Sequence, residues 1–386
     1  MNGRKLRRGL AWSLLAVVVG AILFHVVAGW TAFGKQPSGE RLVRMARSPE
    51  RRGEVFVNRE PLENDLWLSL KDAFAASPHT SPSAPIPLTH APAGRFATPP
   101  ASGLRLTWLG HSTTLIEIDG RRVLTDPIWS KRASPFSWIG PQRFYAPPLA
   151  MEDVPPLDAV VISHDHYDHL DMKTVQALTS RTKRFVVPLG IGSHLAYWGV
   201  PEAQIVELDW WEHVDLGGVE LVAAPARHAS GRVLIDNDTR LWAGYAMLGP
   251  KHRAYYSGDT GLFPAMREIG ERLGPFDVTL LEAGQYGRSW PDWHLGPEQA
   301  VVAHQWLRGR VMVPVHWAGF ALAYHGWTEP VERVLAAASL ANVTVLAPMP
   351  GQSVEPDAPL GVTRWWPEVP WKTGAEDPIR ATHMPP

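Results

Sequence analysis

Residues 158–169 read DAVVISHDHYDH. The first six of them are mostly apolar and rich in valine, which predicts a buried strand that runs into a loop. His164 and His166 stand at i and i+2, so their side chains leave the chain on the same side. Neutral imidazoles that share a side suit a borderline-soft cation such as zinc. Asp168 and His169 follow on the same turn and can face a second cation.

Three more candidate ligands follow downstream, each just past an apolar run that is typical of a strand. His228 follows LVAAPA, Asp259 follows YYSG and His316 follows VMVPV. Loops at strand ends are where rigid scaffolds carry chemistry. A single histidine in such a place is more often structural, and a polar surface loop is the alternative for residues 164–169. Because three such residues follow a motif with four potential ligands in six positions, a metal site is favoured over a structural role.

The order HxHxDH, His, Asp, His resembles that of the metallo-β-lactamase superfamily. Longer runs are similar to the branch of phospholipases D that hydrolyse N-acylphosphatidylethanolamine. The similarity extends over about residues 100–350. The runs are TWLGHST (107–113), LTDPI (124–128), ISHDHYDHLD (162–171), VELDWWE (206–212), SGDTGL (257–262), GPFD (274–277) and HWAGFAL (316–322).

The resemblance implies an α/β fold, the αββα four-layer sandwich, and a site for two zinc ions, with other divalent metals as alternatives. Seven residues match the ligand positions of the superfamily. The implied ligands are His164, His166 and His228 for the first metal, Asp168, His169 and His316 for the second, and Asp259 between the two.

Other residues are candidates for a direct part in catalysis. The acidic ligands Asp168 and Asp259 are counted as catalytic as well. His111 and His294 are candidate contacts to the substrate or the transition state, and a structural role is the equal alternative for each. Asp126, in the LTDP run, either supports a metal-bound histidine or simply forms a turn before proline.

The resemblance implies a binuclear zinc hydrolase of the phospholipase D type. We expect it to cleave phospholipids similar to N-acylphosphatidylethanolamine into phosphatidic acid and an N-acylethanolamine. A metal-dependent lactonase or amide hydrolase on the same fold is the alternative, because a fold does not determine a substrate. A protein that keeps zinc only for structure fits poorly, because structural zinc sites are usually single and closed.

Composition narrows the classes of partner and ligand. The chain has 386 residues and a net charge of −1, which gives no electrostatic basis for binding nucleic acid. It has no cysteine, so any zinc must be held by histidines and carboxylates. The expected partner is a phospholipid substrate, and a homodimer is compatible with the sequence.

The amino terminus predicts a single membrane-spanning helix. Four basic residues precede Gly9–Phe33, a stretch of 25 residues without Asp, Glu, Lys or Arg. A helix needs about 20 apolar residues to cross a bilayer, and a cleaved signal peptide usually has only about 7–15. We therefore expect an uncleaved anchor, with the large domain outside the cytoplasm, in the periplasm if the source is bacterial.

The chain divides into four predicted segments. Residues 1–33 form the anchor, and residues 34–100 a proline-rich linker or an arm that wraps the domain. Residues 101–355 form the hydrolase domain, and residues 356–386 a tail. Predicted strands include Leu104–Trp108, Thr113–Ile118 and Arg122–Thr125, and predicted helices include Asp65–Ala76, Pro297–Leu307 and Glu329–Leu340.

Overall fold

The computed structural model describes residues 12–13, 15, 17–20, 23, 29–90, 94–233, 235–358 and 361–384. Two seven-stranded sheets make up its centre. The strands follow in chain order as β1 (Arg51–Arg52), β2 (Val55–Phe56), β3 (Leu104–Gly110), β4 (Thr113–Ile118), β5 (Arg121–Thr125), β6 (Leu157–Val161), β7 (Thr182–Pro188), β8 (Ile205–Leu208), β9 (His213–Asp215), β10 (Glu220–Ala224), β11 (Gly244–Leu248), β12 (Arg253–Tyr256), β13 (Phe276–Glu282), β14 (Gly309–Val315), β15 (Thr344–Val345) and β16 (Ser353–Val354).

Helices lie between these strands along the chain. The α-helices that follow Phe33 in the described residues are α1 (Glu40–Met45), α2 (Leu66–Phe74), α3 (Met172–Leu178), α4 (Gly192–Tyr197), α5 (Ala265–Leu273), α6 (Pro297–Trp306) and α7 (Glu329–Ala341). Short 3-10 helices occupy Thr31–Phe33, Arg95–Ala97, Met151–Asp153, Thr179–Arg181 and Glu202–Gln204.

Each sheet is apolar on both faces, because one face meets the other sheet and the opposite face is covered by helices. The strand orders are β16-β3-β4-β5-β6-β7-β8 and β15-β14-β13-β12-β11-β10-β9. Along β6, Val161 packs into the core between the sheets, whereas Val160 packs on the side that α3 and α4 cover. Helices α5, α6 and α7 cover the outer face of the second sheet. These layers agree with the αββα sandwich that the resemblance implies.

Parallel strands in both sheets bring the candidate ligands to one edge of the sandwich. Strands β5 to β8 run parallel in one sheet, and β12 to β15 run parallel in the other. Parallel neighbours end at the same edge of a sheet, and binding sites in such sheets lie beyond the carboxyl ends of the strands. Asp126 follows β5, His164 follows β6, Asp259 follows β12 and His316 follows β14.

The structure contradicts the predicted transmembrane helix and, with it, the predicted location in a membrane. Within the residues that are described, no helix is both long enough and apolar enough to cross a bilayer. Much of the predicted span Gly9–Phe33 lies outside those residues. Its last residues are held by the sandwich: Ala32 is buried, and its carbonyl accepts hydrogen bonds from the Arg232 guanidinium. The length of an apolar run shows only that a segment is hydrophobic. In this protein the end of that run packs on protein.

The segments that flank the sandwich pack against it. In the arm, Asn58 exchanges hydrogen bonds with the backbone of His228, and Thr89 bonds to the carbonyl of Pro350. In the tail, Trp365 is buried and stacks at 5.3 Å on Trp317, in the loop after β14. The arm and the tail therefore contact loops that carry candidate ligands, those after β10 and β14.

Candidate metal centre

Three imidazoles converge on the side of the site where the first metal is predicted. His166 Nδ1 lies 2.9 Å from His164 Nε2 and 3.3 Å from His228 Nε2. The other ring nitrogens are engaged elsewhere: His228 Nδ1 donates to the carbonyl of Trp293, and His164 Nδ1 bonds to Ser163 Oγ. Those contacts fix each ring and leave its Nε2 as the atom that faces the cluster.

A second cluster lies beside the first. His169 Nε2 is 3.2 Å from Asp168 Oδ2, and His316 Nδ1 is 3.2 Å from Asp259 Oδ1. His111, Asp168, His169 and His316 have potential ligand atoms within 4.8 Å of one another. The loops after β6 and β14 therefore meet in space, although about 150 residues separate them in the sequence.

Asp259 lies between the two clusters. Its Oδ2 is 3.0 Å from His169 Nε2 in one cluster, and 3.9 and 4.0 Å from the Nε2 atoms of His164 and His228 in the other. The side chain is almost completely buried. A single carboxylate within reach of both groups has the position that a bridging ligand needs.

The residues present fit divalent metals. His316 Nε2 is buried without a hydrogen-bond partner, and His169 Nε2 and Asp259 Oδ1 lie close to charged neighbours but make no hydrogen bond of good geometry. Buried polar atoms without partners are rare in folded proteins, and a bound ion is one of the standard explanations. All three atoms are of the types that zinc prefers.

Burial favours the neutral, metal-binding form of three candidate histidine ligands. Burial lowers the pKa values of His164, His228 and His316 well below their ordinary value, and the neighbouring histidines add to this effect. Metal binding requires neutral imidazole, so these rings are prepared for it. Burial also raises the pKa of Asp259 to about 7, although the neighbouring His169 opposes the shift.

His169 is held by Asp126, a buried residue at the end of β5. Asp126 Oδ2 is 2.7 Å from His169 Nδ1, and the same carboxylate accepts bonds from Ser163 and Tyr256. Burial opposes protonation of His169, but the carboxylates of Asp259 and Asp168 outweigh it and raise its pKa. The sequence allows Asp126 either to support a metal-bound histidine or to form a turn. Its contacts are those of a residue that orients a metal ligand.

The two histidines predicted to contact substrate lie in different places. His294 lines the cavity above the candidate ligands, and its Nδ1 shares a 2.8 Å hydrogen bond with Glu282 Oε2. His111 is buried and is not part of the cavity wall; its Nε2 lies 2.9 Å from Asp168 Oδ2. His294 is therefore placed to meet a substrate, and His111 is placed to orient Asp168.

Glu282 is a site residue that sequence reasoning missed. It ends β13, is fully buried, and accepts backbone N–H bonds from Thr260 and Leu295. Burial raises its pKa well above the ordinary value despite those bonds. Its position after an apolar strand matches that of Asp259, so the same pattern at LLEAG could have revealed it.

The cavity above the candidate ligands has a volume of about 430 Å³. Its floor is formed by ligand-type residues, and aromatic and aliphatic side chains form its walls. The walls include Trp290, Trp293, Leu322 and Tyr324, and Asn64 of the arm reaches it as well. Metal ligands at the floor of a partly apolar cavity are typical of an enzyme active site.

Four non-glycine residues at or beside this site have left-handed backbone conformations. His111, Asp126, Gln285 and His316 are non-glycine residues with positive φ values of 52°, 32°, 61° and 63°. Each such conformation costs on the order of 1–3 kcal/mol and persists only where surrounding contacts enforce it. The fold therefore holds these side chains in fixed directions.

Comparison with known proteins agrees with this geometry. Residues 121–317 match the family described as Beta-lactamase superfamily domain. The chain belongs to the metallo-β-lactamase superfamily. With its cavity and ligand-type clusters, it is a metal-dependent hydrolase of that fold.

Three similar proteins illustrate the range of this family. A protein of Mycobacterium tuberculosis strain H37Rv, named only as uncharacterized, is 46% identical over 368 residues, which cover 92% of this chain and 98% of that protein. The N-acyl-phosphatidylethanolamine-hydrolyzing phospholipase D 1 of Caenorhabditis elegans is 38% identical over 240 residues, which cover 59% of this chain and 67% of that protein. Igni18, a metallo hydrolase of Ignicoccus hospitalis, has a solved structure with a TM-score of 0.50 and 26% identity, covering 65% of this chain and 97% of that one.

Proposed function

We propose that this protein is a binuclear zinc phosphodiesterase of the phospholipase D type, with N-acylphosphatidylethanolamine as the first substrate class to test. The observation that carries the proposal is the position of Asp259 between two clusters of ligand-type atoms. The similarity to the Caenorhabditis elegans phospholipase D 1 supports the choice of substrate.

The protein would hold the two metals through the seven predicted residues. His164, His166 and His228 would bind the first, and Asp168, His169 and His316 the second, with Asp259 shared. When bound, two such cations lower the pKa of water from 15.7 to about 7 and neutralise charge on a phosphoryl oxygen. The remaining steps depend on the residues of the chain.

Charge balance favours an anionic substrate. Two zinc ions would bring four positive charges, and the carboxylates of Asp168 and Asp259 would offset two of them. Histidine binds a metal as neutral imidazole and so adds no charge, and burial already favours that form for His164 and His228. A phosphodiester anion complements the remaining positive charge better than a neutral lactone or amide does.

The chain's own residues would position and enclose the lipid. Asp126 keeps the ring of His169 in one orientation, and Glu282 does the same for His294. His294, with Nδ1 engaged by Glu282, presents its Nε2 as the ring atom left for substrate. Trp290, in the apolar wall of the cavity, would exclude bulk water from the reacting phosphate.

In the proposed reaction, a water oxygen bonds to phosphorus and the bond from phosphorus to the ethanolamine oxygen breaks. We expect purified, zinc-loaded protein to convert N-acylphosphatidylethanolamine in mixed micelles to phosphatidic acid and N-acylethanolamine. In water labelled with oxygen-18, mass spectrometry should find the label in phosphatidic acid. The reason is that attack occurs at phosphorus and the ethanolamine oxygen leaves unexchanged.

Two controls make that experiment decisive. The His228→Gln variant should lose the activity, and the His304→Gln variant should keep it, because His304 is a buried histidine that bonds to Thr279 away from the cavity. Label in the N-acylethanolamine would contradict attack at phosphorus. Turnover of lactones or amides alone, tested beside the lipid, would refute the proposed substrate class.

A further inference from the structure

A second cavity, of about 390 Å³, adjoins the candidate metal cavity. Tyr324 lines both cavities. The walls of the second one come from residues 75–79 of the arm, from residues 286–288 after β13, and from tail residues between 370 and 379. Among the described residues, no strand of the two seven-stranded sheets comes from the arm or the tail, so a binding role is open for them.

Tyr324 forms the partition between the two cavities. Its ring packs edge-on against Trp290 of the metal cavity, with ring centroids 5.3 Å apart. Its hydroxyl is 3.3 Å from Ser69 Oγ of α2, and its carbonyl accepts a 2.8 Å bond from the Ser77 backbone. A ligand bound at the metals and extending past Tyr324 would therefore enter the second cavity.

The polar groups around the second cavity are already paired with one another. Arg288 binds Asp72 through Nε at 3.0 Å, and the Tyr286 hydroxyl donates to Glu329 at 2.7 Å. His325 Nε2 accepts a backbone N–H at 2.9 Å. All the lining residues lie in the described part of the chain, and none of their side chains has a buried polar atom without a hydrogen-bond partner. These pairs engage Arg288, Tyr286 and His325 with protein groups and leave the apolar side chains of the wall as the larger exposed surface.

Most of the exposed wall of the second cavity is apolar. Ala76 and Pro78 of the arm face the same cavity as Pro370, Trp371 and Ile379 of the tail. Its volume falls within the range of small-molecule pockets, about 300–1,000 Å³. A hydrocarbon chain suits walls of this kind, because burying apolar surface needs no hydrogen-bonding partner.

We propose that the second cavity binds a hydrocarbon chain of the substrate whose phosphate lies at the metal centre. Tyr324 then determines specificity, because the chain must pass it. The inference rests on the proposed phosphodiesterase function and adds to it a subsite built by the arm and the tail.

The test uses a series of alkyl p-nitrophenyl phosphodiesters, from ethyl to dodecyl, with the full-length zinc-loaded protein. These compounds probe the metal centre and the chain subsite without needing a lipid surface. Each methylene that enters the cavity should raise kcat/KM by up to about fourfold, until the cavity is full. The Ala76→Phe variant, which places a phenyl ring in the cavity, should flatten this rise.

Ala73→Phe is the matched control, because Ala73 is exposed on α2 and does not line the cavity. It should retain the wild-type dependence on chain length. A wild-type protein indifferent to chain length, or equal slopes in wild type and Ala76→Phe, would overturn the subsite. In the lipid itself, Ala76→Phe should reduce the preference for a long N-acyl chain or for long glycerol acyl chains, which identifies the chain that is bound. An effect on neither chain would count against the proposal.

Failure of the subsite and failure of the proposed function give different results. If the phosphodiester series depends on chain length and Ala76→Phe removes that dependence, the subsite stands even when N-acylphosphatidylethanolamine is not hydrolysed. If the lipid is hydrolysed and no chain-length dependence is found, the proposed function stands and the subsite is refuted.

Discussion

Replacing Asp259 by asparagine is expected to lower kcat/KM for phosphodiester hydrolysis by more than about 100-fold. Losing a residue that only supports a ligand typically costs about 10–100-fold, and a shared ligand should cost more. The amide keeps the shape of the side chain but removes the charge that faces both clusters. Rates should be measured with bis(p-nitrophenyl) phosphate, and the metal content of the variant by elemental analysis.

Asp171→Asn is the control for this substitution. Asp171 caps α3, where it accepts a bond from the Lys173 backbone, and it also binds Ser130. Both oxygens of Asp171 accept a backbone N–H, so asparagine should lower stability, but the residue lies outside the ligand clusters and the folded variant should keep its activity. Equal losses of activity in the two variants, with both folded by circular dichroism, would refute the assignment of Asp259 as a shared ligand.

Replacing Asp126 by asparagine is expected to weaken metal binding by about 10–100-fold. Asp126 accepts bonds on both oxygens, from Ser163 on one and from Ser163, His169 and Tyr256 on the other. An amide in either orientation points an N–H at a donor. His169 would then lose the acceptor that fixes its ring, and zinc affinity, measured by competition with a chromophoric chelator, should fall.

Asp119 offers a close match for this experiment. It also follows a strand, has a positive φ, and accepts a 2.7 Å bond from a histidine Nδ1, that of His252. It lies in the hairpin between β4 and β5, at the opposite end of β5 from Asp126. Asp119→Asn should leave zinc affinity unchanged. If both variants bind zinc as the wild type does, Asp126 does not support the metal centre.

Local sequence predicts those strands and helices whose bounds are set by neighbouring residues in the chain. Thr113–Ile118 is a strand with the predicted bounds, and the helix predicted at Pro297–Leu307 is observed at Pro297–Trp306. Residues at the ends define both segments: Asp119-Gly120 turns the chain after the strand, and Pro297 occupies the first turn of the helix. The candidate ligands are also predictable from local sequence, because side chains that can bind metals directly follow apolar strands.

Tertiary contacts explain what was missed. Asn58 bonds to the backbone of His228, which lies 170 residues away in the sequence. Asn64 lines the cavity, although the sequence predicts only a linker or a wrapping arm for its segment. The partition at Tyr324 depends on Ser69 and Trp290, which lie on different segments. Such contacts leave no periodic signal in the chain.

The error at the amino terminus has a related cause. A count of apolar residues cannot distinguish a segment that meets lipid from one whose end packs on protein. Trp198 Nε1 donates to the carbonyl of Thr31, and Arg232 binds that of Ala32. Those partners lie about 170–200 residues away in sequence, so the length of the apolar run could not reveal them.

The most direct test of the binuclear centre is the number of metals that the protein binds. Full-length protein, stripped with a chelator, reconstituted with zinc at neutral pH and freed of excess metal, should contain two zinc ions per chain by elemental analysis. The proposed assignment of seven ligand-type residues to two clusters that share Asp259 predicts that number. A content of one zinc ion or fewer per chain after reconstitution would contradict the account.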